Sequence, residues 1–281
     1  MITSNIRETA KAYDSYHGIG LYCTRYPQAN ARVLNTIFDV LSKMPKPCRV
    51  LDYGCGYGRY LYPILKQTQH HVYGYDISEV AISQALTNLN EFQERMSLFN
   101  HHETLDDALN HGDHNNSNHN KSDHNKSDHA GKIDAGLLLF GVLSHLKGKD
   151  ERCRLLKWFY QHLHPDHGRL ILSVPNRRRR FLYHQWQTKR HHPEIPAGDI
   201  TYHRHQSGRK IPLYYHLYQC HELTSELEEA GFELEHLTAE SFFPERTVLN
   251  SPLLSKLDHR LCECLPVSAG YGILAVARRR T

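Results

Sequence analysis

Apolar positions along this chain alternate between short continuous runs and runs at helical spacing. Between 29 and 41, Val33, Ile37, Val40 and Leu41 fall three and four apart, which predicts a helix that Pro45 and Pro47 end. Arg49 to Tyr53 then reads as a strand, Gly54 to Gly58 as a tight turn, and Tyr60 to Gln67 as a helix with Leu61, Ile64 and Leu65 inward. His71 to Asp76 predicts a second strand. Ser78 caps a helix running to Leu89, and Ser97 to Phe99 is a weaker third strand. A fourth strand is expected over Ile133 to Phe140, whose unbroken apolar run is what burial on both faces requires. Glu151 to Leu163 is helical, His164 to Gly168 turns, and Arg169 to Val174 is a fifth strand stopped by Pro175. A helix from Glu222 to Ala230 and strands at Phe232 to Leu237 and Gly272 to Ala277 complete the series. Strand, helix, strand repeated in this way predicts an α/β fold with helices on both faces of a mostly parallel sheet.

Two segments break the rhythm. Residues 106–132 hold three tandem pentads rich in Asn, Ser, Asp and His, ending at His119, His124 and His129, with almost nothing apolar. They predict a disordered surface loop. Their histidines lack a spacing that would gather them on one helix face, so no stoichiometric metal is expected. The second break, 177–221, carries Pro193, Pro196 and Pro212 and shows no clear α/β period. It follows the fifth strand directly, so it is expected to form a lid over the carboxyl edge of the sheet, where open α/β sheets bind ligands.

Composition narrows the picture little. The chain has 281 residues, 40% of them hydrophobic, and a formal net charge of +4. That is a globular composition, and the charge alone implies no polyanionic partner. Seven cysteines are scattered without a Cys-x-x-Cys pair, as in a reducing compartment. No apolar run is long enough to span a membrane. The expectation is a soluble cytoplasmic protein.

The densest chemistry lies in Asp52-Tyr53-Gly54-Cys55-Gly56-Tyr57-Gly58. Glycines allow positive φ and close approach of backbone to a ligand. A dinucleotide fingerprint would read G-x-G-x-x-G, but here Arg59 stands where that pattern needs glycine. Asp52, two residues before the first glycine, suits a ligand with a cationic end better than a pyrophosphate.

The run resembles motif I of the class I S-adenosylmethionine (SAM) dependent methyltransferases. The resemblance extends to Asp76 at the end of the second strand, to Asp134 to Phe140 as the fourth strand, to the Leu163-His164-Pro165-Asp166-His167-Gly168 turn, and to a last strand ending near Arg278. It implies a single domain over 1–281 with a Rossmann-like, doubly wound, mostly parallel seven-stranded sheet and an antiparallel last strand. Residues 1–45 would form a helical cap, 46–176 the SAM-binding core and 222–281 the C-terminal strands. It further implies SAM contacts at Asp52, Gly54, Cys55, Gly56, Gly58, Asp76, Ile77 and Phe140, with Asp76 accepting from both ribose hydroxyls. The family often places an Asp near the adenine amino group; Asn100-His101-His102-Glu103 stands there, making Glu103 or the backbone the candidate.

For the methyl acceptor the sequence offers less. His145, just past the fourth strand, is the candidate general base; a histidine opening a surface helix is the competing interpretation. Tyr13 and Arg25 in the aromatic N-terminal stretch, Arg177 at the head of the insertion and Tyr215 are candidate acceptor contacts. Between 177 and 210 nine basic residues stand against Glu194 and Asp199, with Phe181, Tyr183, Trp186 and Tyr202 interleaved, which suits an anionic partner. Three functions follow. The first is methyl transfer to oxygen or nitrogen of a small or lipid-like molecule, with an anionic small molecule among the candidates. The second is an RNA methyltransferase, because Thr24 to Pro27 and Pro212 to Tyr218 faintly resemble the tRNA wobble-uridine methyltransferases, although the tail after Glu240 departs from them. The third is a non-catalytic SAM-binding module.

Overall fold

The structure, a computed structural model, describes residues 13–14, 18, 26–111, 131–206 and 209–280. Its centre is a seven-stranded sheet of β1 (Arg49–Tyr53), β2 (His71–Tyr75), β3 (Met96–Phe99), β4 (Ala135–Leu138), β5 (Arg169–Pro175), β8 (Phe232–Ser241) and β9 (Gly272–Arg279), in the order β3-β2-β1-β4-β5-β9-β8. β1 pairs in parallel with both β2 and β4, and β4 with β5. β9 runs antiparallel between β5 and β8, from Arg169 opposite Arg278 to Pro175 opposite Gly272. The chain winds outward one way from β1 to β3 and the other way from β4. The topological switch therefore falls between β1 and β4, and it is beyond the carboxyl ends of the strands at such a point that open α/β sheets bind ligands. This is the Rossmann-like arrangement expected above.

Strand side chains alternate between two apolar layers. Leu51, Tyr53, Tyr73 and Tyr75 pack toward α4 (His102–His111), α5 (Lys149–His162) and α7 (Cys220–Glu229). Val50, Val72, Ala135 and Leu137 pack toward α1 (Ala31–Ser42), α2 (Leu61–Gln67) and α3 (Glu79–Asn88). Each fully buried Leu, Ile or Phe in these layers contributes about 1.5–3 kcal/mol. Ser78 caps α3 as expected, its Oγ accepting from the Ala81 amide at 3.1 Å.

One expectation is corrected. Residues 106–111 are not loop. Leu105 and Leu109 are buried against the sheet, and the Trp158 indole donates to Asp106 at 2.8 Å, so the helix α4 runs through to His111. The pentads themselves lie outside the described residues. The insertion, which shows no clear α/β period in the sequence, contains regular elements. It forms α6 (Leu182–His191) and a hairpin of β6 (Asp199–Gln206) and β7 (Arg209–His216), with a small core of Ile200, Tyr202, Tyr215 and Leu217. Its alternation is hidden because tyrosines and histidines such as Tyr202, His203, Tyr215 and His216 stand at successive positions. Between β8 and β9, where no element is expected from the sequence, stand α8 (Glu245–Asn250) and α9 (Pro252–Cys264). Among the described residues, no helix is long and apolar enough to cross a membrane, and the six cysteines are all free.

Candidate active site

The glycine turn after β1 is held by backbone. Gly54 and Cys55 amides donate to the Tyr75 carbonyl at 2.7 and 2.9 Å, tying the turn to the end of β2. Gly54 and Gly58 have φ of +86° and +87°. A Cβ on Gly54 would meet Val142 Cγ2 at 2.4 Å, and one on Gly58 would meet Leu89 Cδ1 at 2.8 Å. Both glycines are thus required by packing as well as by backbone conformation. Cys55 is buried, and its thiol is pushed well above the ordinary range by burial, so it is no nucleophile.

Two carboxylates line the turn. Asp76 is buried; its Oδ2 accepts from the Gly56 amide at 2.8 Å and its Oδ1 from the Ser78 amide at 2.9 Å. Each oxygen keeps a lone pair for a further donor. Burial raises its carboxyl to about 6, against the pull of those two amides. Asp52 is raised to about 7, first by burial and also by Asp76, with Arg59 opposing. Two buried carboxyls held above their ordinary range mark a place short of positive charge. A ligand with an ammonium end and a vicinal diol answers both needs, so the donor set fits SAM. Ile77 is partly exposed beside them, as a surface for a flat ring would be. Glu103 is exposed in the first turn of α4, which gives its proposed adenine contact no support.

The N-terminal stretch reaches this site. Asp14 Oδ1 accepts from Ser78 Oγ at 2.7 Å, beside the start of α3. The Tyr57 hydroxyl donates to the Tyr26 carbonyl. Arg25 lies outside the described residues.

On the β4 side, Phe140 adopts φ +58° and its amide donates to Ser173 Oγ at 2.8 Å. Its ring packs edge-on against Tyr26 and beneath the Arg59 guanidinium, 4.7 Å away in each case. The next residues turn through Gly141 into a short 3-10 segment, Val142–His145. His145 Nδ1 lies 3.3 Å from the Tyr214 carbonyl and its Nε2 lies 2.8 Å from the Tyr13 hydroxyl. A carbonyl only accepts, so the proton sits on Nδ1, and Nε2 accepts from Tyr13. Tyr215 stands over this corner. Its ring is 4.7 Å from His145, and a Cβ on Gly141 would come within 2.3 Å of its hydroxyl oxygen. Three sequence candidates, Tyr13, His145 and Tyr215, thus meet beside Phe140 although they are far apart in the chain.

Arg177 does not join them. Its Nη1 donates to the Ala197 carbonyl at 2.9 Å and lies 3.8 Å from Glu222, so it braces the base of the hairpin. The residues that do join were missed in the sequence. Arg59 pairs with Glu245 at 3.1 Å with both side chains nearly buried. Glu240 is hydrogen bonded to Ser173, and burial together with Glu245 raises its carboxyl to about 7. Arg180 lies over the Tyr215 and Tyr271 rings at 5.7 and 4.9 Å. The signal available was Arg59 replacing a motif glycine; nothing in the spacing pointed to Arg180, Glu240 or Glu245.

A second polar cluster lies at the hairpin's foot. The ligand-type atoms of His216, Glu222 and Glu226 lie within 4.8 Å of one another, close enough for a metal. They are already engaged. Arg152 makes three hydrogen bonds to Glu226, the closest at 2.6 Å, and the Tyr218 hydroxyl adds a fourth at 2.8 Å. His216 Nδ1 meets Asp199 at 2.5 Å and its Nε2 meets Glu222 at 3.0 Å. This is an ion-pair network fastening the insertion to α5 and α7.

The model of the family described as "methyltransferase domain" matches residues 24–237. Among curated proteins none matches the chain. Solved structures with the same fold include the 1,6-didemethyltoxoflavin-N1-methyltransferase of Burkholderia thailandensis, with bound 1,6-didemethyltoxoflavin and S-adenosylhomocysteine. Its TM-score is 0.57 at 16% identity, over 99% of this chain and 88% of that one. The magnesium protoporphyrin IX methyltransferase of Synechocystis PCC 6803 with bound SAM superposes at TM-score 0.54 and 15% identity, over 99% and 98%. The [4+2]-cyclase SpnF superposes at 0.59 and 16% identity, over 98% and 97%. At such identities the likeness establishes the fold.

Proposed function

The chain belongs to the methyltransferase domain family, class I and SAM-dependent, and from that premise we propose that it methylates an oxygen or nitrogen of a small or lipid-like molecule. SAM, when bound, supplies an electrophilic methyl group on a sulfonium. The chain's own part is to hold that cofactor, align the acceptor, exclude water and take a proton. Asp76 is assigned to the ribose diol and Asp52 to the ammonium end. The Tyr13–His145 pair is assigned to the proton. If the Tyr13 oxygen takes a proton from the acceptor, its own proton passes along the existing hydrogen bond to His145 Nε2, and the Tyr214 carbonyl holds the ring in the tautomer that permits this.

The observation that carries the small-molecule reading is the roof over Gly141. Tyr215 from the hairpin closes against His145 and Gly141, with Tyr202 and Phe181 behind it, so an apolar wall encloses the corner. The neighbours from Burkholderia and Synechocystis, whose names give small-molecule acceptors, support this. One observation favours RNA instead. α6 has no buried residue and exposes Tyr183 and Trp186 at 63% and 53%, with Arg190 over the Trp186 ring. Aromatic faces beside basic side chains are a stacking platform for single-stranded bases.

Titration calorimetry with S-adenosylhomocysteine tests the cofactor site: saturable binding is expected, and Asp76→Ala should weaken it by about 1.5–3 kcal/mol, the scale of charge-assisted hydrogen bonds. Unchanged affinity in that variant would remove Asp76 from the ribose. Incubation with methyl-labelled SAM and a cell extract separates the acceptor classes. Label is expected in the small-molecule fraction, and label retained in RNA after phenol extraction would favour the second reading.

A further inference from the structure

Four ionisable side chains from four separate segments meet at the carboxyl edge of β5: Arg59, Arg180, Glu240 and Glu245. Their charges are formally balanced, but their contacts are not. Glu245 is taken by Arg59. Glu240 is held by Ser173, and its raised carboxyl is protonated for part of the time near neutrality. The Glu240 charge is felt at Arg180. Among the described residues, however, Arg180 has no ion pair, and its Nε is buried without any hydrogen bond. A buried guanidinium nitrogen left without an acceptor costs more than most native contacts return. Proteins keep such groups where a ligand supplies the missing acceptor.

The surroundings say what kind of ligand. Arg180 stands between two rings, Tyr215 and Tyr271, with Phe181 at 5.5 Å. Tyr215 is the same ring that lies over Gly141 and against His145. Glu240 lies over Gly272, where a Cβ would come within 2.1 Å of its Oε2, next to Tyr271. The backbone fixes Arg180 firmly. Its amide donates to the Asn176 carbonyl at 3.0 Å and its carbonyl accepts from Gln185 at 2.7 Å. The Asn176 side chain is itself locked on the Ser268 and Gly270 carbonyls. Of the four consecutive arginines, Arg177 braces the hairpin, Arg178 is exposed, and Arg179 donates to the Ala269 carbonyl at 2.6 Å. Arg180 alone faces the rings of the acceptor corner.

We propose that Arg180 is the acceptor-reading residue of this site and that it binds an oxyanion, a carboxylate or a phosphate ester, carried on a flat apolar body that packs against the Tyr215 side of the corner. A guanidinium fork matches either oxyanion, and ring walls favour a ring. The inference rests on the methyltransferase reading above, with the anion held beside Gly141 and away from Asp52 and Asp76, whose place is the cofactor.

The test uses the full chain saturated with S-adenosylhomocysteine, so the cofactor site is checked first and separately. Benzoate and phenyl phosphate serve as the two oxyanion probes and benzamide as their neutral counterpart, each titrated to roughly 10 mM, the range of weak fragment binding. Benzoate or phenyl phosphate is expected to bind and benzamide is not; which of the two binds identifies the oxyanion. Arg180→Gln should weaken the bound anion by at least about tenfold, as loss of a charged hydrogen-bonding fork does, while S-adenosylhomocysteine affinity stays within about twofold. Arg180→Lys, which keeps the charge without the fork, should recover only part of the loss. Equal binding of benzamide and the anions, binding unchanged in Arg180→Gln, or no anion binding by a cofactor-loaded wild-type protein would each overturn the proposal. The wild-type comparison decides even if Arg180→Gln fails to fold. Failure of S-adenosylhomocysteine itself to bind would instead bring down the cofactor reading, and this inference with it.

Discussion

The two sides of the switch point are built on different principles. On the β1–β3 side the site is local. Asp52, the glycine turn, Asp76 and Ser78 lie within one strand–helix–strand unit, and backbone amides do most of the holding. On the β4–β8 side it is assembled from long range. Tyr13, Arg59, Phe140, Ser173, Arg180, Tyr215, Glu240 and Glu245 come from separate segments and are held by side chains, several of them charged and buried. A cofactor common to many acceptors can be served by a fixed backbone cradle. An acceptor particular to one enzyme needs side chains that vary without disturbing that cradle. The contrast implies that the first side breaks when backbone is disturbed and the second when a buried charge loses its partner.

The largest expected effect lies on the second side. Arg152 and Glu226 are paired with side chains 4% and 2% exposed, and they fasten α5 to α7 under the hairpin. Arg152→Met should cost about 3–5 kcal/mol, since it strands a buried carboxylate, whereas Arg152→Met with Glu226→Met together should cost much less. Urea denaturation measures both. A single variant as stable as the parent would mean that the insertion is held by packing and not by this pair.

Next comes the matching break on the first side. Gly54→Ala places a Cβ within 2.4 Å of Val142 at φ +86°. The expected cost is about 2–3 kcal/mol from strain and overlap together. Because Val142 follows Gly141, the change should also weaken S-adenosylhomocysteine binding, which calorimetry on the folded variant would show. Lost stability with undiminished affinity would separate the turn's packing role from its ligand role.

The same contrast explains what the sequence could reveal. The central strands were legible because buried parallel strands leave continuous apolar runs and Gly54 to Gly58 punctuates the first crossover, whereas β3 and the antiparallel β8 and β9 showed only as shorter apolar stretches. The cofactor residues were legible because they share that short unit. The hairpin was not, because Tyr202, His203, Tyr214, Tyr215 and His216 give no two-period contrast. Nor was α4, whose only apolar anchors, Leu105 and Leu109, sit at the edge of a polar repeat. Arg180, Glu240 and Glu245 could not be found from spacing, because distant segments of the fold bring them together. Arg177 stands closest after β5 in the sequence, yet three residues further on the chain has turned so that a different arginine, Arg180, faces the site.

A smaller effect is expected from pH at the hairpin's foot. Burial alone would lower the His216 pKa, but its hydrogen bonds to Asp199 and Glu222 outweigh that and raise it above its ordinary 6.5. Asp199 and Glu222 are lowered below 3.8 and 4.5, their bonds to His216 outweighing burial. A raised histidine stabilises the fold fully below 6.5, and this contribution is lost as pH climbs through its folded value. Lowered carboxyls contribute above their ordinary values, and this is lost as pH falls through their folded ones. The hairpin should therefore be held best between the carboxyl range and somewhat above 6.5. Hydrogen exchange in β6 and β7, corrected for intrinsic rates, should report weaker protection above that window. His216→Gln should cost about 1.5 kcal/mol and flatten the alkaline limb. An alkaline limb unchanged in that variant would assign it to another group.

The smallest effect should come from deleting residues 115–129, which belong to neither side of the comparison. What flanks the segment is fixed. Leu109 is buried on α4, Ile133 is buried before β4, and Lys132 Nζ donates to the Gln161 carbonyl at 2.7 Å. The two ends also lie close together, because a Cβ on Gly131 would come within 2.3 Å of the Leu109 carbonyl oxygen. The few residues left between them can therefore close the gap without pulling on either helix or strand. The deleted stretch contains no apolar side chain to withdraw from a core. Shortening a closed loop this much alters its closure entropy by only about 1 kcal/mol, and in the favourable direction. Melting temperature and S-adenosylhomocysteine affinity should both stay near those of the parent. A fall in stability of several kcal/mol, or loss of a stoichiometrically bound metal from the purified protein on deletion, would show that the histidine pentads have a structural role that their composition does not suggest.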